Sequence, residues 1–182
     1  MGSVRVTSSK GRKLRMKIKE ECQRRIDNEC YMIELKSHQS NIQIDNNIYS
    51  QSQLCLMPPG DFPSRKAVLD SLFSGCIPVT FSLYTAHQQW TLHWNGQANM
   101  SMINIPLSHA IKDISGTFDH LLKIAKNEED IRKRRAAFDS VALRMQYSRT
   151  GDHVTKKKIR KKSVNKEGNS DAVDVIINHL LQ

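Results

Sequence analysis

Residues 54–79 read LCLMPPGDFPSRKAVLDSLFSGCIPV, and the punctuation of this stretch decides the fold. The apolar run QLCLMP, residues 53–58, is stopped by Pro58, Pro59 and Gly60. Ser64 is then placed as the N-cap of a helix reaching Phe73, with Val68, Leu69 and Leu72 as its buried stripe. Gly75 ends that helix, and CIPVTFS, residues 76–82, returns the chain to a strand. Strand, helix and strand within about 30 residues describe a βαβ crossover, hence an α/β fold built on a parallel sheet.

Upstream, SVRVTS at 3–8 has the alternation of a short strand and Ser9-Lys10-Gly11 reads as a turn. LRMKIKEECQRRI, residues 14–26, then places Leu14, Ile18, Cys22 and Ile26 on one stripe at helical spacing. YMIEL at 31–35 offers a second strand, followed by an Asn- and Ser-rich loop. Downstream of Phe81, the stretch through Trp90 and Trp94 lacks a period and reads as a loop, and ANMSMINIPL at 98–107 reads as a strand. From Ser108 or Asp113 the pattern turns helical, with Leu121, Leu122 and Ile124 packing in one helix and Ile131, Phe138, Val141, Leu143 and Met145 in the next. The charges of EEDIRKRR, residues 128–135, are assigned to an exposed face. Residues 149–170 hold almost no core formers and read as a basic flexible loop, after which DAVDVIINHLL regains helical period and is expected to pack back on the body. The domain plan is therefore 1–148, a loop at 149–170, and a terminal helix at 171–182.

The totals narrow the function. A chain of 182 residues with 38% hydrophobic and 25% charged residues can bury a core, which excludes disorder throughout. The formal charge of +10 resides in two runs: +7 over residues 1–25 and +4 over 156–182, against −1 between them. A near-neutral body argues against a nucleic-acid partner, and the KKKIRKK run at 156–162 is read as a solvated loop. Cys22, Cys30, Cys55 and Cys76 show no zinc-ligand spacing, so no metal is expected; the count fits two disulfides or four free thiols equally well. No window approaches the ~20 apolar residues of a membrane span, and Met1–Arg15 lacks the apolar core of a signal peptide.

The crossover itself suggests chemistry. A helix that starts just beyond the end of a parallel strand aims its free N–H groups and positive dipole end at the space outside the sheet, a place for phosphate. Ser64 offers a hydroxyl, Arg65 a guanidinium fork and Lys66 a point charge, while Gly60 permits close backbone approach. Asp70, a little under two turns from Ser64, is placed to accept from the two hydroxyls of a ribose.

The same stretch resembles the hallmark segment of the exostosin-like glycosyltransferases: a Cys-Leu-x-Pro-x-Gly-Asp element, a Ser/Thr-Arg-Arg/Lys helix start, an acidic residue, then Gly-Cys-Ile-Pro-Val. KGRKLRMKIKEEC looks like the basic helix of that family, and DAVDVIINHL like its terminal helix. The resemblance implies a Rossmann-like parallel sheet with flanking helices, the C-terminal half of a GT-B fold, that binds a nucleotide sugar, a UDP-sugar, for inverting transfer to a glycan or polysaccharide acceptor. It implies that Ser64 and Arg65 hold the pyrophosphate, Asp70 the ribose, and that Gly60 and Asp61 shape the loop, with Arg15 as a further phosphate ligand. Cys55 and Cys76 match cysteines paired in relatives, which leaves Cys22–Cys30 as the second bridge and implies the lumenal side of the Golgi membrane.

The family also carries a membrane anchor and an acceptor domain ahead of this region, so the acceptor domain and targeting segment are expected to be missing from this chain. No cofactor beyond the donor is implied. The general base that such transfer needs has no candidate here; His87, His93 and His109 read as ordinary surface residues. Asn99-Met100-Ser101 is a formal N-glycosylation acceptor. A non-catalytic nucleotide-sugar module and a basic polyanion- or nucleic-acid-binding protein are the alternatives.

Overall fold

In the computed structural model the described residues are 9–25, 29–32, 48–60, 65–147 and 171–181. The central sheet has three parallel strands in the order β1 (Leu54–Met57), β2 (Ile77–Thr80) and β3 (Ile103–Asn104). Leu54 lies opposite Ile77 and Val79 opposite Ile103. All four residues of β2 are buried, as expected of a strand covered on both faces. Pro78 is tolerated at its centre for a local reason. The Ile77 N–H donates to Gln53 O on the β1 side, so alternation points the missing N–H of Pro78 toward β3, whose ladder begins only opposite Val79.

Alternation divides the core in two. Ile77, Val79, Ile103 and Ile105 face a cluster closed by α1 (Ser9–Arg24), α5 (Leu107–Lys112) and α6 (Ile114–Ala125), through Leu14, Ile18, Ala110, Ile114, Phe118 and Leu121. Cys55, Met57, Cys76 and Met102 face the other way, onto α2 (Lys66–Phe73), α4 (Ala98–Ser101) and the end of α7 (Glu128–Asp139), through Val68, Leu72, Ala98 and Phe138. Helices on both faces of a parallel sheet make this a Rossmann-like α/β arrangement, as the crossover predicts. The chain is completed by α3 (Leu83–Gln88), a 3₁₀ turn at Ala142–Met145 and α8 (Ala172–Leu180).

The ends of α2 explain how a short helix fits between two strands. Gly75 has φ of +85°; the Cys76 N–H reaches Ser71 O at 2.9 Å and the Gly75 N–H reaches Leu72 O at 3.0 Å. This pair of bonds is the Schellman closure that glycine permits, and it turns the chain straight into β2. The Cys55–Cys76 disulfide, with Cα atoms 5.9 Å apart, ties the two strands beneath the helix. Closing a loop of this length stabilises by about 3 kcal/mol on the chain-entropy account. Cys22–Cys30 is the second disulfide, and no described cysteine is free, so the balance between bridges and thiols resolves to bridges.

Several expectations need correction. The helix starts at Ser9, taking in the residues read as a turn, because Gly11 lies buried on the same stripe as Leu14, Ile18 and Cys22. Arg65, with an extended backbone, is the residue that precedes α2, the position the sequence assigns to Ser64. Of the α2 stripe, Val68 and Leu72 are buried, Leu69 only partly, and Ser71 joins them, its hydroxyl donating to Val68 O. The loop after Phe81 contains α3, and the strand expected over 98–107 is a short helix followed by a two-residue strand. There Ala98 and Ser101 are small enough for α7 to pack closely, and the Ser101 hydroxyl donates to Gln97 O at 2.9 Å. Asn99 of the glycosylation triplet is exposed on α4, while Ser101 is fully buried. Tyr31 and Met32 are not in a strand, and Tyr31 is 77% exposed. The strand at 3–8, Ile26, the rest of YMIEL and the loop at 149–170 lie outside the described residues.

The terminal helix does return to the body. Its N-cap Asp171 accepts from the Val173 and Asp174 N–H groups in a capping box, the Ala172 N–H donates to Gln146 O at 2.9 Å, and Ala172 and Val175 are buried. His93, expected at the surface, is buried instead, its Nε2 lying 3.2 Å from Ala172 O at this seam.

Candidate functional site

The C-terminal ends of parallel strands are where open α/β sheets take their ligands. At that edge β1 runs into Pro58, Pro59 and Gly60, which supply two carbonyls without intervening donors. Two arginines from different elements converge on them. Arg65 Nη1 donates to Pro58 O, and Arg15 Nη2, arriving from α1, donates to Pro59 O at 3.0 Å. The Arg65 N–H is held by the side-chain oxygen of Gln89 at 2.8 Å, just beyond α3. Thus a residue outside the expected set fixes the backbone of one within it.

Electrostatics follow from this geometry. Burial first, and then the like charge of Arg15, push the pKa of Arg65 below the ordinary arginine value, with Tyr49 acting the other way. Arginine stays protonated regardless. The two guanidinium groups therefore act on each other across the end of β1, and an anion with two negative centres is the ligand that would relieve them.

Arg15 owes its position to the far end of α1. There Arg25 donates from Nε to Glu21 Oε1 at 2.9 Å and from Nη2 to Asp119 Oδ1 at 2.7 Å and Ser115 O at 3.2 Å, over the Phe118 ring. The hydrogen bond to Asp119 is the largest cause raising the Arg25 pKa, which burial opposes and Glu21 reinforces. Glu21 is 3% exposed and also receives Arg24. This clamp locks α1 to α6. Sequence reasoning missed it, although a glutamate on the apolar stripe side of a helix, four residues before an arginine, was the available signal.

Lys66 and Asp70 lie apart from this convergence in their bonding. Lys66 Nζ contacts both Asp70 oxygens at 2.7 Å, an i, i+4 pair on the exposed side of α2. Asp70 therefore shares its face with Lys66, because four residues bring a helix back to one face and six do not. Asp61 and Ser64 lie outside the described residues, as does the side chain of His87. His109 is exposed on α5. No group of three or more His, Cys, Asp or Glu among the described residues could hold a metal ion. Two measurable hollows lie elsewhere, one of about 320 Å³ beside Cys22 and Cys30 and one of about 210 Å³ between Phe73, Phe138 and Arg135. Neither touches Arg15 or Arg65. The convergence of Arg15 and Arg65 lies on an open sheet edge, which suits an extended anion.

Fold and strand-end chemistry place the protein among the Rossmann-like α/β proteins. Comparison with known proteins narrows the class: the family model described as Exostosin GT47 domain matches residues 2–92, half of the chain. The chain belongs to the exostosin GT47 family. It is 34% identical over 133 residues to the probable xyloglucan galactosyltransferase GT19 of Arabidopsis thaliana, covering 72% of this chain and 28% of that protein. It is 52% identical over 46 residues to the xyloglucan-specific galacturonosyltransferase 1 of the same plant, covering 25% of this chain and 7% of that protein. The chain thus spans a minor part of the curated relatives it matches. No solved structure matches it. Among the described residues no helix is long and apolar enough to cross a membrane.

Proposed function

We propose that this chain is the donor-binding half of a GT-B glycosyltransferase that takes a sugar from a nucleotide diphosphate sugar, a UDP-sugar, and passes it with inversion to a glycan acceptor. The observation that supports this best is the convergence of Arg15 and Arg65 at the end of β1. Two guanidinium forks at the carboxyl end of a parallel strand suit a pyrophosphate, whose oxygens accept bidentate bonds. Ser64 and Lys66 would add donors at the start of α2, with Gly60 and Asp61 shaping the loop. Asp70 would take the ribose hydroxyls once Lys66 turns from it to the phosphates.

The relatives' names supply the acceptor class, a xyloglucan-like polysaccharide, and the Golgi lumen is the compartment consistent with two disulfides. In this reading the acceptor and the general base belong to another domain of the enzyme, and the residues named above bind the donor.

Calorimetry with UDP tests the proposal. The parent chain should bind, Arg65→Ala should lose about 100-fold, the scale of about 3 kcal/mol for hydrogen bonds from a charged group, and Asp70→Ala about tenfold. Absence of UDP binding by the parent chain would sink it.

A further inference from the structure

Asn99-Met100-Ser101 is the single place in the sequence where Asn is followed two residues later by Ser or Thr with no proline between, the pattern that accepts an N-linked glycan. Neither the sheet nor the donor site uses it. The structure adds two facts to the pattern. Asn99 is exposed on α4, and its side-chain amide makes no hydrogen bond among the described residues. Ser101 has no exposed surface, and its hydroxyl donates to Gln97 O at 2.9 Å where α7 packs on α4.

Helical geometry explains the difference. Side chains two residues apart on a helix point about 200° apart, so one that faces water sends the other inward. On an extended chain the same two side chains share one side. A transferase that reads the Asn amide and the hydroxyl together therefore meets both only before α4 forms. Afterwards Ser101 is closed off, while Asn99 keeps open solvent around it for a bulky substituent.

We infer that Asn99 carries an N-linked glycan, attached while residues 98–101 are still extended and kept on the surface of the folded domain. Asn99 Nδ2 forms a bond to the anomeric carbon of a lipid pyrophosphate-linked oligosaccharide; the lipid pyrophosphate leaves, and the amide nitrogen gives up one proton. This rests on the lumenal compartment proposed above, with which the Cys22–Cys30 and Cys55–Cys76 bridges agree. The place suits a glycan as well. Because α4 leads into β3, Asn99 stands at the amino edge of the sheet, whereas Arg15 and Arg65 meet at the carboxyl end of β1. A glycan on Asn99 leaves the donor edge open.

The experiment is synthesis of the full chain, behind a cleavable secretion signal, into microsomes, with protection from added protease to select chains that have entered the lumen. The parent should run as a single slower band that peptide N-glycosidase returns to the unmodified position. Asn99→Gln and Ser101→Ala should each abolish the shift. A protected parent chain without glycan overturns the inference, as does a shift that persists in Asn99→Gln. The order of events is read separately, by offering purified full chain, made without glycan, to detergent-solubilised oligosaccharyltransferase and its lipid-linked donor. The reduced, unfolded chain should be modified at least tenfold faster than the folded, disulfide-bonded one; equal rates overturn attachment before folding. Glycosylated parent and Asn99→Gln should bind UDP within twofold of each other, and a tenfold difference overturns the placement away from the donor edge. Failure of both to bind UDP refutes the donor reading and is seen separately from the glycan result.

Discussion

Helices α1 and α7 are both rich in basic residues, yet the protein treats them in opposite ways. On α7 the first turn holds Glu128, Glu129 and Asp130, capped by Asn127, which accepts from the Asp130 N–H at 3.1 Å. Those acids suit the helix dipole and then take Lys133 and Arg134 one turn later. On α1 the first turn has no acid, and Glu21 in the last turn pairs with Arg24 and Arg25. The lesson is that α7 is charged in order to stand, while α1 stands by other means. Those means are the stripe of Leu14, Ile18 and Cys22, the Cys22–Cys30 disulfide and the Arg25 clamp.

The largest effect should come from breaking the clamp that lets α1 stand. Arg25→Ala leaves the buried Glu21 carboxylate with Arg24 alone, and should cost about 3 kcal/mol. For a chain of this size that lowers Tm by about 6–12 °C. Because the folded-state pKa of Arg25 is raised, the stability it contributes is fully present below the ordinary arginine pKa and is lost only as pH rises through the folded value. The drop should therefore be the same at every neutral pH. Recovery of part of the loss when Glu21→Leu is added would show that the unpaired carboxylate caused it. If the two changes simply add, the clamp is not the anchor of α1.

A smaller loss is expected from the corresponding arginine of α7. Arg134 is 20% exposed, bonds Asp130 and reaches Met102 O at 3.1 Å, where the chain enters β3. Arg134→Ala should cost about 1.5 kcal/mol, the sum of a charge-assisted bond and a partly exposed pair. Chemical denaturation would read this as a lower midpoint at unchanged slope. An effect as large as that of Arg25→Ala would erase the distinction between a buried clamp and a surface pair.

How much of this was legible in advance varies with the range of the cause. The crossover from β1 through α2 to β2 is written locally, in Pro58-Pro59-Gly60, in the stripe of Val68 and Leu72, and in Gly75. The helices α6 and α7 are likewise long enough for their period to show. ANMSMINIPL misled because ten mostly apolar residues suit helix or strand equally, and the choice was made by α7 packing on Ala98 and Ser101. The turn assigned to Ser9-Lys10-Gly11 failed because glycine can also serve a helix on its buried stripe. At the site, Arg65 was found from its place after the strand. Arg15 entered only by family resemblance, because its meeting with Pro59 spans 44 residues and leaves no periodic trace. Gln89, which holds the Arg65 N–H, had no signal at all.

The smallest expected effect is the one that most directly separates the two helices, because its sign reverses between them. Lys10 and Glu129 both occupy the second helical position, of α1 and α7 respectively. Lys10→Glu removes a cation from the positive end of the α1 dipole and gives Lys13 a partner three residues on, so it should stabilise by about 0.5–1 kcal/mol. Glu129→Lys makes the opposite change in α7 and also strands Lys133, so it should destabilise by a similar amount, about 0.5–1 kcal/mol. Thermal melts at low and high salt would read both, and screening should shrink both together. A stabilised Lys10→Glu chain would mean that the helix dipole and the lack of an acidic neighbour set the energy of this position. A destabilised one would mean that Lys10 is held by packing, and that the contrast between the helices is not electrostatic.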